Sequence, residues 1–328
     1  VLARLFGSAF WIPAYVALIA GFVVPGDLTA LKPLVPVLLG GILFCSSLKF
    51  GLGEVRAAFV EPGALPRLGA LIALKLLVLP LIPYAATLAI APEWAPGVLL
   101  VGMMPGGLSS LAFADLYGGD RGVALLLLLG ASLLCPLTAP AMLHLFGIGQ
   151  HGPGQPSEVA LFAKQALYIV LLLGTPFTLA QVVRGVAPRF VERNLHRLSP
   201  AAIACLCLLI TVSIAGNRQA WAGWTAQRML APLLLVCAAS CYFILASRLM
   251  RVWLGRERGV SMACSTVYMN NGLSLAVAIQ FFPGDAHLLL PSVLMQVPMV
   301  IGVMLAARWV GMGGKVGEVE GDPGEGAA

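Results

Sequence analysis

Met104-Pro105-Gly106-Gly107-Leu108-Ser109-Ser110 sits in the middle of an apolar run at 95–118, and Met269-Asn270-Asn271-Gly272-Leu273-Ser274 holds the matching place in a second run at 258–282. A proline without a backbone donor, followed by two glycines, unwinds a helix at that point. Two adjacent amides in an apolar run need partners, and asparagine suits a helix cap. Unpaired backbone is tolerated at membrane depth only where it lines a polar cavity or is buried in protein. Half-helices that start at Ser109 and near Gly272 aim their positive dipole ends at the gap between them, which suits a carboxylate. A plain kink at Pro105, with Asn270 and Asn271 as packing residues, uses the same residue types. Interruption at corresponding places in two halves favours a binding site instead.

Outward from these stretches the chain is apolar throughout. Of its 328 residues, 59% are hydrophobic and 10% charged, against ~25% charged in a soluble domain. A membrane-spanning helix needs ~20 apolar residues. On that scale the spans fall at 8–25, 31–50, 64–90, 95–118 and 121–147, then at 160–186, 200–216, 228–252, 258–282 and 286–309. The first run lacks a small-residue cleavage site and reads as a helix, not a removed signal peptide. The expected fold is an all-α membrane protein of ten transmembrane helices in two inverted five-helix repeats, with helices 4 and 9 broken at mid-membrane. The repeats occupy 1–147 and 160–310, joined by a connector at 148–159 and followed by a disordered tail at 311–328. With both termini in the cytoplasm, fifteen of the twenty Lys and Arg fall on that side, and Lys32, Lys164, Arg218 and Arg228 fall on the other. Such a bias matches the positive-inside rule. The net charge of +6 is therefore loop charge, and no basic stripe with interleaved aromatics suggests nucleic-acid binding.

These motifs resemble the bile acid:sodium symporter family over roughly residues 8 to 310. The resemblance is clearest at Pro105-Gly106-Gly107-Leu108-Ser109-Ser110, Gly119-Asp120, Ser132-Leu133-Leu134-Cys135-Pro136 and Met269-Asn270-Asn271-Gly272-Leu273. It implies ten helices in two inverted repeats with helices 4 and 9 crossing, and organic anions driven in by two sodium ions. The departures concern sodium. The family's Ser-Asn reads Ser110-Leu111 here, a sodium-contacting Glu is replaced by Thr266, and a Gln ligand in helix 3 by Lys75. Ser132 keeps a hydroxyl ligand.

Hard cations favour several oxygen ligands, preferably including a carboxylate. This chain has lost such ligands and gained a cation about 16 Å into its span, at 1.5 Å per residue. A charge at that depth costs at least ~2.5–3.5 kcal/mol. The expectation is that the Lys75 ammonium occupies the space of one sodium ion, meets unwound carbonyls of helix 9, and keeps the cavity positive. Burial disfavours a charged amine, so protonation of Lys75 is a route to proton coupling. The alternatives are that Lys75 snorkels to an interface or pairs with Asp115.

The expected substrate contacts are Gly107, Ser109, Ser110, Asn270, Asn271 and Ser274. The expected ion-site residues are Lys75, Ser132 and Thr266. His144, His151, His196 and His287 lie at helix ends or in loops without metal spacing, and the seven cysteines read as free, small apolar residues. Neither a metal nor a cofactor is expected. No nucleophile with its base and no carboxylate pair lies within the spans, so an enzyme is not expected either. The reading is a secondary active, alternating-access carrier of a small organic anion in a bacterial inner membrane, sodium-independent or proton-coupled. A sodium-coupled symporter of the same family is the alternative, and a receptor or channel the alternative from another class. A core of helices 3–5 and 8–10 would hold the site, and a panel of helices 1, 2, 6 and 7 would move against it.

Overall fold

A computed structural model describes residues 11–24, 28–54, 64–107, 109–149 and 157–311. The tail at 312–328, most of the connector, Arg4, Asp27, Arg56, Leu108, His151 and Lys315 lie outside the described residues. The named elements are helical: α1 (Trp11–Val23), α2 (Leu34–Ser47), α3 (Ala64–Ala73), α4 (Leu81–Ile90), α5 (Ala95–Gly102), α6 (Ser109–Leu116), α7 (Arg121–Leu145), α8 (Glu158–Val186), α9 (Pro188–Gly216), α10 (Ala226–Leu254), α11 (Arg256–Val267), α12 (Asn271–Phe281), α13 (Ala286–Leu294) and α14 (Gln296–Gly311). A π-helical turn, Leu74–Val78, joins α3 to the residues before α4.

Six helical stretches are long and apolar enough to cross a membrane: Leu68–Ile90, Arg121–Leu145, Glu158–Val186, Pro188–Gly216, Gln227–Leu254 and Ala286–Gly311. The runs at 95–118 and 258–282 are absent from this set because each is broken into two shorter helices. Large apolar side chains such as Leu167, Val170, Leu171 and Leu179 on α8 are exposed, as expected of surface that meets hydrocarbon rather than water.

One boundary differs from the sequence expectation. Residues 188–199 were expected to precede a span at 200–216, but α9 is one helix of 29 residues starting at Pro188. Proline is tolerated at the first helical position because its missing donor would be unpaired there anyway. Val191 and Leu198 pack against Leu48 and Ala180. That apolar contact carries the helix past the edge of the apolar run.

The helices pack in two groups, joined where α8 also lies along α7. α9 lies against α1 and α2, and α8 against α2. In the other group α11 contacts α6, α7, α10 and α14, while α13 contacts α5, α10 and α12. Between the groups run specific polar contacts. Tyr15 on α1 donates to the Val297 carbonyl of α14 at 2.6 Å, and Tyr168 on α8 donates to the Ala276 carbonyl of α12 at 3.5 Å. The innermost elements are the short ones: α5, α11, α12 and α13 are buried over nearly their whole length.

Candidate functional site

The two interrupted runs meet where each is unwound. Gly107 N–H donates to the Tyr268 carbonyl at 2.7 Å, and Asn270 N–H donates to the Pro105 carbonyl at 2.9 Å. This is an antiparallel bridge centred on Gly106 and Met269. Each break thus supplies the partners the other lacks, which meets the requirement that buried backbone be hydrogen-bonded. Close approach needs the glycines. A Cβ at Gly106 would lie 2.7 Å from Ser265 Oγ, and one at Gly107 would lie 2.8 Å from the Tyr268 ring. Asn270 caps α12, its Oδ1 accepting from Leu273 N–H at 3.1 Å.

The other shared motif has a similar role one helix away. Asp120 caps α7 by accepting from Val123 N–H at 3.0 Å. Its own N–H donates to the Glu257 carbonyl, and Ser261 Oγ donates to its carbonyl at 2.7 Å. Gly119-Asp120 therefore ties the start of α7 to the start of α11.

A cavity of about 610 Å³ opens beside the bridge. Gly107, Ser109, Asn270, Asn271 and Gly272 border it from the crossing, together with residues of α2, α6, α9 and α14. It lies between the two packing groups. At its inner end a Cβ on Gly272 would meet Leu39 Cδ1 at 2.8 Å and Leu209 Cδ1 at 3.6 Å, so α2 and α9 press closely on the start of α12.

Of the six residues expected to contact substrate, Gly107, Ser109, Asn270 and Asn271 border the cavity. Ser110 and Ser274 do not. Ser274 is buried and shares a 2.5 Å hydrogen bond with Ser292. Ser110 is buried with its Oγ unpartnered among the described residues. Consecutive residues on a helix point about 100° apart, so Ser109 and Ser110 diverge.

Lys75 is 1% exposed and donates to the Met104 carbonyl at 3.2 Å. The amine therefore reaches neither an interface nor Asp115, which pairs with Arg121. Its bond goes to the first crossing segment, not to helix 9 as expected. The π turn accounts for its placement. Pro80 cannot donate, and the preceding turn widens so that Leu79 N–H reaches the Leu74 carbonyl at 2.8 Å; such turns recur at functional sites. Ser132 is half-buried and donates back to the Leu128 carbonyl at 2.7 Å, as hydroxyls in helices commonly do. The Cys135 thiol of α7 is buried near Lys75. Thr266 is buried, and its Oγ1, like those of Ser110 and Ser265, has no partner among the described residues. The amide of Asn271 is equally unpaired at both atoms.

The sequence profile of the Sodium Bile acid symporter family matches residues 36–224. The chain belongs to this family. The matched segment reaches from α2 through α9 and includes the first crossing segment, Lys75 and Asp120. A curated protein of Bacillus subtilis (strain 168), described as "Uncharacterized sodium-dependent transporter YocS", is 23% identical over 213 residues. That match covers 65% of this chain and 64% of the relative. The family is one of symporters and not of enzymes, and family and apolar helices together make the chain a multi-pass membrane protein.

Several cavity residues escaped the sequence reading. Tyr268 makes a side-chain hydrogen bond with Ser109 and packs on Phe113 with ring centroids 5.3 Å apart. Its position directly before Met269-Asn270 was the available signal. Gln296 borders the cavity while only 4% exposed. Lys49 and Arg308 border it too, although both were counted as loop charges.

Proposed function

We propose that this protein is a secondary active carrier of a small organic anion, probing each side of the membrane by alternating access. The observation that carries the reading is the crossing itself. Two helices interrupted at corresponding places, joined by reciprocal backbone bonds, end at a cavity that holds the 1% exposed amide of Asn271, unpaired among the described residues. Positive helix ends and unsatisfied donors there suit a carboxylate. On this reading α1, α2, α5 with α6, and α11 with α12 count among ten spans in two inverted repeats. The group of α1, α2, α8 and α9 moves against the rest. Both termini lie in the cytoplasm of a bacterial inner membrane, the side on which the positive charge gathers.

Lys75 stands in for one sodium ion. Its ammonium neutralises the Met104 carbonyl end of α5, and transport is then sodium-independent or proton-coupled. A second reading, coupling to sodium as co-substrate, is favoured by the description of the relative as sodium-dependent and by the oxygens of Ser110, Ser265 and Thr266, which are unpaired among the described residues. Uptake and counterflow of a carboxylate in proteoliposomes, with sodium replaced by choline, separates the two. Unchanged saturable flux supports the Lys75 reading. Flux abolished by choline overturns it in favour of sodium coupling. Binding without counterflow overturns the carrier itself and leaves a receptor.

A further inference from the structure

The cavity has polarity at both ends. Its inner end is the crossing, where α6 and α12 begin and Asn271 presents an amide unpaired among the described residues. Its outer end holds two cations on different packing groups: Lys49, just past the end of α2, and Arg308, in the last turn of α14. Lys49 Nζ donates to Ser199 Oγ at 2.8 Å, which holds the ammonium at the rim. Among the described residues Arg308 has no hydrogen bond or ion pair, and no Asp or Glu borders the cavity. Between the two ends the wall is apolar, with Ile42, Leu43, Phe113, Leu206 and Met299. Along α2 the lining starts at Leu39 and continues past the helix end to Lys49, with about 12 Å of that length within the helix at 1.5 Å per residue.

We propose that Lys49 and Arg308 form a second acid-binding subsite, so that the favoured substrate is a dianion with acidic groups at opposite ends of an apolar body. This rests on the reading that one carboxylate binds at the crossing. The physical reason is complementarity. Positive potential at both ends of an apolar cleft favours a molecule with matching ends, and a neutral outer end leaves two exposed cations without a carboxylate partner among the described residues. Because the two cations belong to different packing groups, the outer acid also bridges those groups across the mouth.

The test measures binding to the purified full chain in lipid nanodiscs, using dodecanedioate and its monoamide, which has the same length with one acid neutralised. The wild type is expected to bind the diacid at least tenfold more tightly. A Lys49→Gln, Arg308→Gln double variant should bind both at the monoamide's affinity, with an unchanged thermal unfolding midpoint. Equal binding by the wild type, or a preference retained in the double variant, overturns the outer subsite. If neither compound binds, or Ser109→Ala and Asn271→Ala leave monoamide binding unaltered, the inner site fails and the proposed function falls with it. An altered midpoint directs the comparison to the single variants, each expected to lose part of the preference; a full preference in both overturns the proposal.

Discussion

On one face of the crossing, Ser109, Asn270 and Asn271 border a cavity of about 610 Å³; on the other, Ser110, Ser265, Thr266 and Lys75 are each about 1% exposed. Both faces draw on the same two broken helices, the closed one with Lys75 added from the π turn after α3. On the open face Asn270 is used to cap α12, and the amide of Asn271 is left without a partner among the described residues. The closed face leaves three hydroxyls unpaired among the described residues and places an amine against a carbonyl. Unpaired buried polar groups each cost about 1–3 kcal/mol, so both faces are sustained by the packing around them. The difference separates two tasks: substrate recognition where the groups of helices part, and charge compensation where they do not.

The contrast breaks most severely at Lys75. Lys75→Gln replaces the ammonium with the oxygen ligand that the family resemblance leads one to expect, and opens the closed face to a cation. Sodium, compared with choline, is expected to raise the thermal unfolding midpoint of the variant by about 5 °C, a ligand contribution near 2 kcal/mol, while leaving the wild type unchanged. Identical responses in both would show that the amine does not occupy an ion's place. Gly106→Ala acts on the boundary between the faces. Its Cβ would lie 2.7 Å from Ser265 Oγ and 3.2 Å from Ser110 Oγ, so overpacking should destabilise by about 1–3 kcal/mol and lower flux at least tenfold. Wild-type flux in that variant would mean the crossing need not be so close. The smallest effect is expected at the rim. Arg121 pairs with Asp115 on α6 and with Glu54, which follows α2, at 3.2 Å. The groups are nearly half exposed, so Glu54→Gln should change stability by less than about 1 kcal/mol. Any effect should appear as faster exchange between the packing groups, read by flux at low against high salt.

Much of this architecture was legible in local sequence. The breaks at Pro105-Gly106-Gly107 and at Asn270-Asn271 follow from residues that cannot continue a helix or that cap one. The burial of Lys75 accords with its place well inside an apolar run. The start of α9 was not legible, because Val191 and Leu198 pack in a cluster with Ala180 of the preceding helix and with Leu48, which is distant in sequence. What Ser132 does was not legible either. A hydroxyl that donates to its own helix, as Ser132 does to Leu128, looks the same in sequence as one that does not.

The sequence by itself determined that the helices are apolar enough to cross a membrane and that two runs are interrupted, because hydropathy and helix-breaking are properties of short stretches. Only the tertiary structure decided which carbonyl Lys75 meets, why Ser109 borders the cavity while Ser110 is shut away, and that Lys49 and Arg308 share a rim. Those outcomes depend on how an unwound segment turns when a second one, about 160 residues away in the chain, supplies its missing hydrogen bonds. No stretch of sequence contains both partners.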